Sequence, residues 1–199
     1  LGGDASVNVL LGGAGNDSMY GGAGSDIMRG GDGIDELRFD ELGAVGINLD
    51  IDRGVATYSP DDSADTFSGF ETYRTTDQED TVTLSDSSDT IYTLDGDDFI
   101  DASLGADTID GGQGLDTINY SSSDLISVTD IVVTLDNTNE VTVTVNGADD
   151  DLIRNIENVT GTSGNDVITG DGQTNILKGL GGADLLTGGA GDDQLIVCL

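Results

Sequence analysis

The reactive groups this chain offers in number are carboxylates: 39 Asp and Glu against six Lys and Arg, with no His, in 199 residues. Without histidine the commonest general base and zinc ligand is missing. What remains is carboxyl acid–base chemistry or the holding of hard cations, and spacing decides between them. The acids fall on a nine-residue grid. With the aspartate of each unit at position six, that position holds Asn8, Asp17, Asp26 and Asp35. It then holds Glu71, Asp80, Asp89, Asp98, Asp107 and Asp116, and finally Glu157, Asp166, Asn175, Asp184 and Asp193. Two residues on, at position eight, stand Leu10, Met19, Met28, Leu37, Tyr73, Val82, Ile91, Ile100, Ile109, Ile118, Val159, Ile168, Leu177, Leu186 and Leu195. Two independent columns across so many units make an internal repeat the dominant signal.

Other chemistries fit poorly. A glycosidase needs two carboxylates about 5–9 Å apart, but such pairs recur along the whole chain and single out no site. A serine nucleophile would lack its histidine. The sole lysine, Lys178, sits at an outward position nine and reads as surface. Cys198, the only cysteine, has no partner for an intrachain disulfide and reads as a terminal strand residue. A formal charge of −33 excludes nucleic acid and disfavours an anionic membrane. No apolar run is long enough for a transmembrane helix. The Thr-rich position seven could suggest an ice-binding face. Strand propensity explains it better, and Glu36, Phe99, Asn158 and Gln194 interrupt it. The chain opens inside a repeat without a signal peptide, so a piece of a longer protein is expected.

The elements that must position the acids follow from the grid. Positions seven to nine alternate out, in, out, the period of a strand. Three residues are too few to pair alone, so the strands must stack as a parallel sheet. Positions one to six reverse the chain, with glycines supplying positive φ. Two units make one coil, and loops two units apart share an edge about 4.8 Å from each other. Carboxylates that close repel unless a cation lies between them. A hard divalent ion with six to eight oxygen ligands fits, and an oxygen-only ligand set favours Ca²⁺ over zinc or copper, with Mg²⁺ weaker. The stacked pairs 8/26, 17/35, 71/89, 80/98, 89/107, 98/116, 157/175, 166/184 and 175/193 suggest about nine ions. On that count the chain is expected to be largely unfolded without calcium.

The phrases GGAGND (12–17), GGAGSD (21–26), GGDGID (30–35), GGQGLD (111–116) and GGAGDD (188–193) resemble the RTX nonapeptide repeat, Gly-Gly-x-Gly-x-Asp-x-hydrophobic-x. The resemblance implies an all-β, right-handed parallel β-roll with Ca²⁺ between successive loops. It also implies export by the type I route of Gram-negative bacteria. Position-six side chains would be ligands. Backbone carbonyls at positions one to four would add to them: Gly13, Gly15, Gly22, Gly24, Gly30, Asp32, Gly112, Gly114, Gly164, Gly179, Gly181, Gly188 and Ala190. Units 75–83, 84–92 and 93–101 keep positions six and eight but lose the first two glycines, and Asn8 offers an amide after the irregular GDASVN.

Two stretches break the grid, 39–65 and 120–151. Each alternates as a strand pair around a turn (DRG, DNTN), ends in an acidic run (SPDDSAD, GADDD), and re-enters through Glu71 or Glu157. They read as β-hairpin-like inserts, giving blocks 1–38, 66–119 and 152–199 of one continuous solenoid. The function expected is a non-catalytic, calcium-binding structural module of a secreted or cell-surface protein. Alternatives are an accessory module of an exported protease, lipase or polysaccharide epimerase, and a segment of an adhesin or surface layer. Polysaccharide or a second copy of the chain would then be a partner.

Overall fold

The computed structural model describes residues 1–43, 45–58, 63–121 and 128–197. Cys198 and part of the first acidic run (59–62) lie outside the described residues. Among the described residues there is no α-helix; a 3-10 turn at Asp40–Leu42 is the sole helical segment.

The nine-residue grid produces strands of mostly three residues, and the period-two alternation buries the middle one. The first block holds β1 (Val9–Ala14), β2 (Ser18–Met19), β3 (Ile27–Asp32) and β4 (Glu36–Arg38). The first insert holds β5 (Ile47–Asp50), β6 (Val55–Tyr58) and β7 (Ser63–Ser68). The middle block holds β8 (Thr72–Arg74), β9 (Thr81–Thr83), β10 (Thr90–Tyr92), β11 (Phe99–Asp101), β12 (Thr108–Asp110) and β13 (Thr117–Asn119). The second insert holds β14 (Ile131–Thr134), β15 (Val141–Val145) and β16 (Ala148–Arg154). The last block holds β17 (Asn158–Thr160), β18 (Val167–Thr169), β19 (Ile176–Leu180), β20 (Leu185–Thr187) and β21 (Gln194–Val197).

Successive units alternate between two sheets. One runs β1-β3-β7-β6-β5-β9-β11-β13-β17-β19-β21 and the other β2-β4-β8-β10-β12-β16-β15-β14-β18-β20. Within a block each strand pairs in parallel with the strand 18 residues on, as Thr90 with Thr108 and Phe99 with Thr117. This is a parallel β-roll in which two units make one coil.

Each insert replaces one roll strand by an antiparallel meander. β5–β6–β7 enters one sheet with β7 parallel to β3 and β5 parallel to β9. β14–β15–β16 enters the other with β16 parallel to β12 and β14 parallel to β18. Both expected strand pairs are present. Each has a third strand that a hairpin does not account for, β7 and β16, running through the acidic runs and across positions 65 and 151. The reason is pairing: an odd number of strands lets the chain leave and rejoin the roll in the same direction.

The core is the position-eight column, facing inward from both sheets. Met19, Met28, Leu37, Val82, Ile91, Ile100, Ile118, Val159, Ile168 and Leu177 are fully buried. Burial of each such side chain contributes about 1.5–3 kcal/mol. Leu49, Val133, Val143 and Ile153 continue the column through the inserts. At the last coil cover runs out, and Leu195 is 47 % exposed.

Candidate metal sites along the two loop edges

The position-six residues form a hydrogen-bonded ladder up each edge. The backbone N–H at position six donates to a carboxylate oxygen of the position-six residue one coil on. Asp17 reaches Asp35 at 2.8 Å, Asp80 reaches Asp98 at 2.8 Å, Asp89 reaches Asp107 at 2.9 Å, and Asp98 reaches Asp116 at 2.9 Å. Asn8 to Asp26, Asp166 to Asp184 and Asn175 to Asp193 repeat it. Glu71 and Glu157 play the acceptor role for Asp35 and Asp116.

The ladder does not stop at the inserts. Asp26 donates to Asp65 at 2.7 Å, and Asp107 to Asp151 at 3.0 Å. On the far side of each meander Ile47 donates to Asp80 and Ile131 to Asp166. Asp65 and Asp151 therefore stand at position six, followed by Phe67 and Ile153 in the core column. Neither is on the nine-residue grid. The signal that could have found them is the short phrase Asp-x-hydrophobic in DTF and DLI.

One carboxylate oxygen is thus satisfied by the ladder, and the second divides the loops into two kinds. In loops 12–17, 21–26, 30–35, 93–98 and 111–116 the Oδ2 of Asp17, Asp26, Asp35, Asp98 and Asp116 is enclosed with no hydrogen-bond partner. Positions two and four of these loops have positive φ, as at Gly31 (120°) and Gly33 (151°) and at Gly112 (90°) and Gly114 (147°). Leu94 takes the same conformation with φ 74°, beside Gly96 at 138°, so unit 93–101 belongs with the glycine-rich units despite its sequence. A Cβ at Gly31 would run into the Gly13 carbonyl one coil away, and one at Gly112 into that of Leu94. Close stacking of backbone as well as φ demands glycine there. Thr93 lies beside Asp98, but its hydroxyl donates to the Gly111 carbonyl at 2.8 Å and so leaves Oδ2 alone. Loops 179–184 and 188–193 share the positive φ, at Leu180, Gly182, Gly189 and Gly191, with Asp184 and Asp193 half-buried.

In the loops of Asp80, Asp89, Asp107 and Asp166 position two caps the acid. Thr76 donates its N–H to Asp80 Oδ2 at 2.9 Å and its hydroxyl to Oδ1 at 2.9 Å. Ser85 donates to Asp89 Oδ2 at 2.8 Å, and Ser103 to Asp107 Oδ2 at 3.3 Å. Thr162 donates its N–H to Asp166 Oδ2 at 2.7 Å and its hydroxyl to Oδ1 at 3.0 Å. The amides behave alike: Asn8 accepts from Asp4 N–H and Asn175 from Asp171 N–H. Gly164, expected as a ligand through its carbonyl, lies in one of these capped loops, where its N–H donates to the Thr162 hydroxyl. The inserts supply tyrosines for the same task. Tyr120 donates to Asp151 Oδ2 at 2.7 Å, and Tyr58 lies 3.3 Å from Asp65 while donating to the Gly24 carbonyl at 2.7 Å. Gly30, Gly179 and Gly188 sit at position one, pressed against the carboxylate of their own unit. Asp32, Gly181 and Ala190 lie at position three of positive-φ loops.

Burial without a counter-charge raises several of the acids in the middle block. It pushes Asp98 and Asp107 up to about 7 and Asp116 up to about 8, with neighbouring ladder carboxylates adding to the effect. Asp65 and Asp151 are pushed up to about 6 by the same cause. Enclosed carboxylate oxygens beside close-packed carbonyls suit a hard cation, since an orphaned buried acceptor is otherwise costly. Among the described residues no three acidic, His or Cys side chains converge on one point. An ion here must therefore draw most of its oxygens from backbone carbonyls, which suits the flexible shell of Ca²⁺ better than the strict octahedron of Mg²⁺.

Comparison with known families agrees with this chemistry. A model of the RTX calcium-binding nonapeptide repeat (4 copies) matches residues 2–37, 83–118 and 160–195, more than half of the chain. The matched stretches leave out both meanders. A search of curated proteins finds no match.

Proposed function

The chain belongs to the RTX calcium-binding nonapeptide repeat family, and on that premise we propose that it is a structural module that folds on calcium after export. The repeat itself is a calcium-binding structural unit. The observation that carries the proposal is the set of five enclosed, unpartnered carboxylate oxygens, Oδ2 of Asp17, Asp26, Asp35, Asp98 and Asp116. In calcium these atoms become ligands; without it they are enclosed acceptors with no partner. In the low calcium of a cell interior the chain would stay extended enough to be threaded outward, and it would close into the roll outside. The −33 charge supports this order of events, because self-repulsion opposes the compact state until cations bind. No described helix is long and apolar enough to cross a membrane. In this reading the module is secreted or at the cell surface, contributes no catalysis, and scaffolds the protein that contains it. Circular dichroism with excess chelator tests the proposal: the strand signal should collapse and return on adding calcium. A spectrum unmoved by chelator refutes it.

A further inference from the structure

The position-two residue separates loops whose acid is complete from loops whose acid is not, and the separation follows geometry rather than glycine content. Loop 93–98 has Thr93 and Leu94 where glycines are expected, yet it has positive φ and an orphaned, buried Asp98 Oδ2. Loop 161–166 keeps Gly161 and Gly164, yet Thr162 closes over Asp166. In the capped loops the position-two oxygen also accepts the position-four N–H, at Gln78, Ser87 and Gly164, so one hydroxyl ties both sides of the loop.

Most of the capped acids share one edge, with Asp65 and Asp80 on the other. Up one edge Asp89, Asp107, Asp151 and Asp166 follow one another, closed by Ser85, Ser103, Tyr120 and Thr162. Among the described residues two stacked pairs join aspartates whose Oδ2 atoms are both enclosed and unpartnered: Asp17 with Asp35, and Asp98 with Asp116. Resting on the calcium reading above, we propose that position two decides which loops take an ion. Calcium is held tightly at these two pairs. The capped edge from Asp89 to Asp166 carries none, its hydroxyls standing where ions would otherwise complete the carboxylates. This replaces the nine ions expected from the grid with two.

Equilibrium dialysis of the whole chain with radioactive calcium, at about 10⁻³ M free ion, reads the count directly. Two ions per chain are expected. Asp35→Asn and Asp116→Asn should each remove one, while Asp89→Asn and Asp107→Asn should remove none. The double variant Ser85→Gly/Ser103→Gly uncaps a stacked pair and should gain a third ion, a result that misfolding cannot imitate. Close to nine ions in the parent chain, an ion lost in Asp89→Asn, or no gain in the double variant would overturn the partition and leave the calcium reading standing. No bound calcium in any variant would overturn both.

Discussion

At the scale of single residues, each ladder acid is held by one oxygen and defined by the other. Asp116 shows the consequence most sharply. Burial raises it to about 8 in the absence of metal, so its charge is a burden without calcium and a ligand with it. Asp116→Asn should therefore lower the urea midpoint in calcium yet raise the strand signal that remains in chelator, a reversal of sign that a purely structural aspartate would not give. Tyr120→Phe should lower the midpoint in calcium. It strips the donor from Asp151 Oδ2, buried beneath the second insert, and should cost about 1–3 kcal/mol, measured by chemical denaturation. The position-six and position-eight columns are legible in the sequence because both are fixed by a strict period. Asp65 and Asp151 are not, since the meanders shift them off that period and only pairing with β3 and β12 restores their place. Nor are the capping roles of Thr76, Ser85, Ser103 and Thr162, which depend on a φ that residue type alone does not set; Leu94 at φ 74° makes the same point from the other side.

At the scale of elements, strands of three residues exist only because each has parallel neighbours and one buried side chain. Ile118 is fully buried on β13, between β11 and β17. Ile118→Ala should cost about 2–5 kcal/mol, read as a lowered denaturation midpoint, with calcium stoichiometry unchanged in the fraction that folds. The loops impose an equally strict rule. Gly112→Ala places a Cβ at φ 90° against the Leu94 carbonyl. It should destabilise the roll by about 1–3 kcal/mol and weaken ion binding at Asp98 and Asp116 together. The roll and the first two strands of each insert can be read from alternation and turns. The third strands cannot: ADDDLIR reads as an acidic run, and it becomes β16 because β12 and β15 present unpaired edges on either side.

At the scale of the whole molecule the question is how −33 charges are accommodated in one compact roll. Two sites at a hundredfold excess of ion over Kd would add about 5 kcal/mol, comparable with the lower end of ordinary net stabilities of about 5–15 kcal/mol. Two ions are therefore enough to decide folding. The pH dependence without calcium follows from the raised acids. Asp98, Asp107 and Asp116 have folded values of about 7, 7 and 8 against 3.8 unfolded. Their contribution is present in full below about pH 4 and is lost as pH rises through 7 to 8. In chelator the residual strand signal should be larger at pH 5 than at pH 8. With calcium present the trend should weaken or reverse, because protons then compete with the ion.

The central claim is that doubly charged ions complete the open carboxylate pairs. Diffraction from crystals grown in calcium, recorded at a wavelength where calcium scatters anomalously, tests it most directly. Anomalous peaks between Asp17 and Asp35 and between Asp98 and Asp116 are predicted, with none beside Asp89 or Asp107. Water alone at the first two positions would contradict the account.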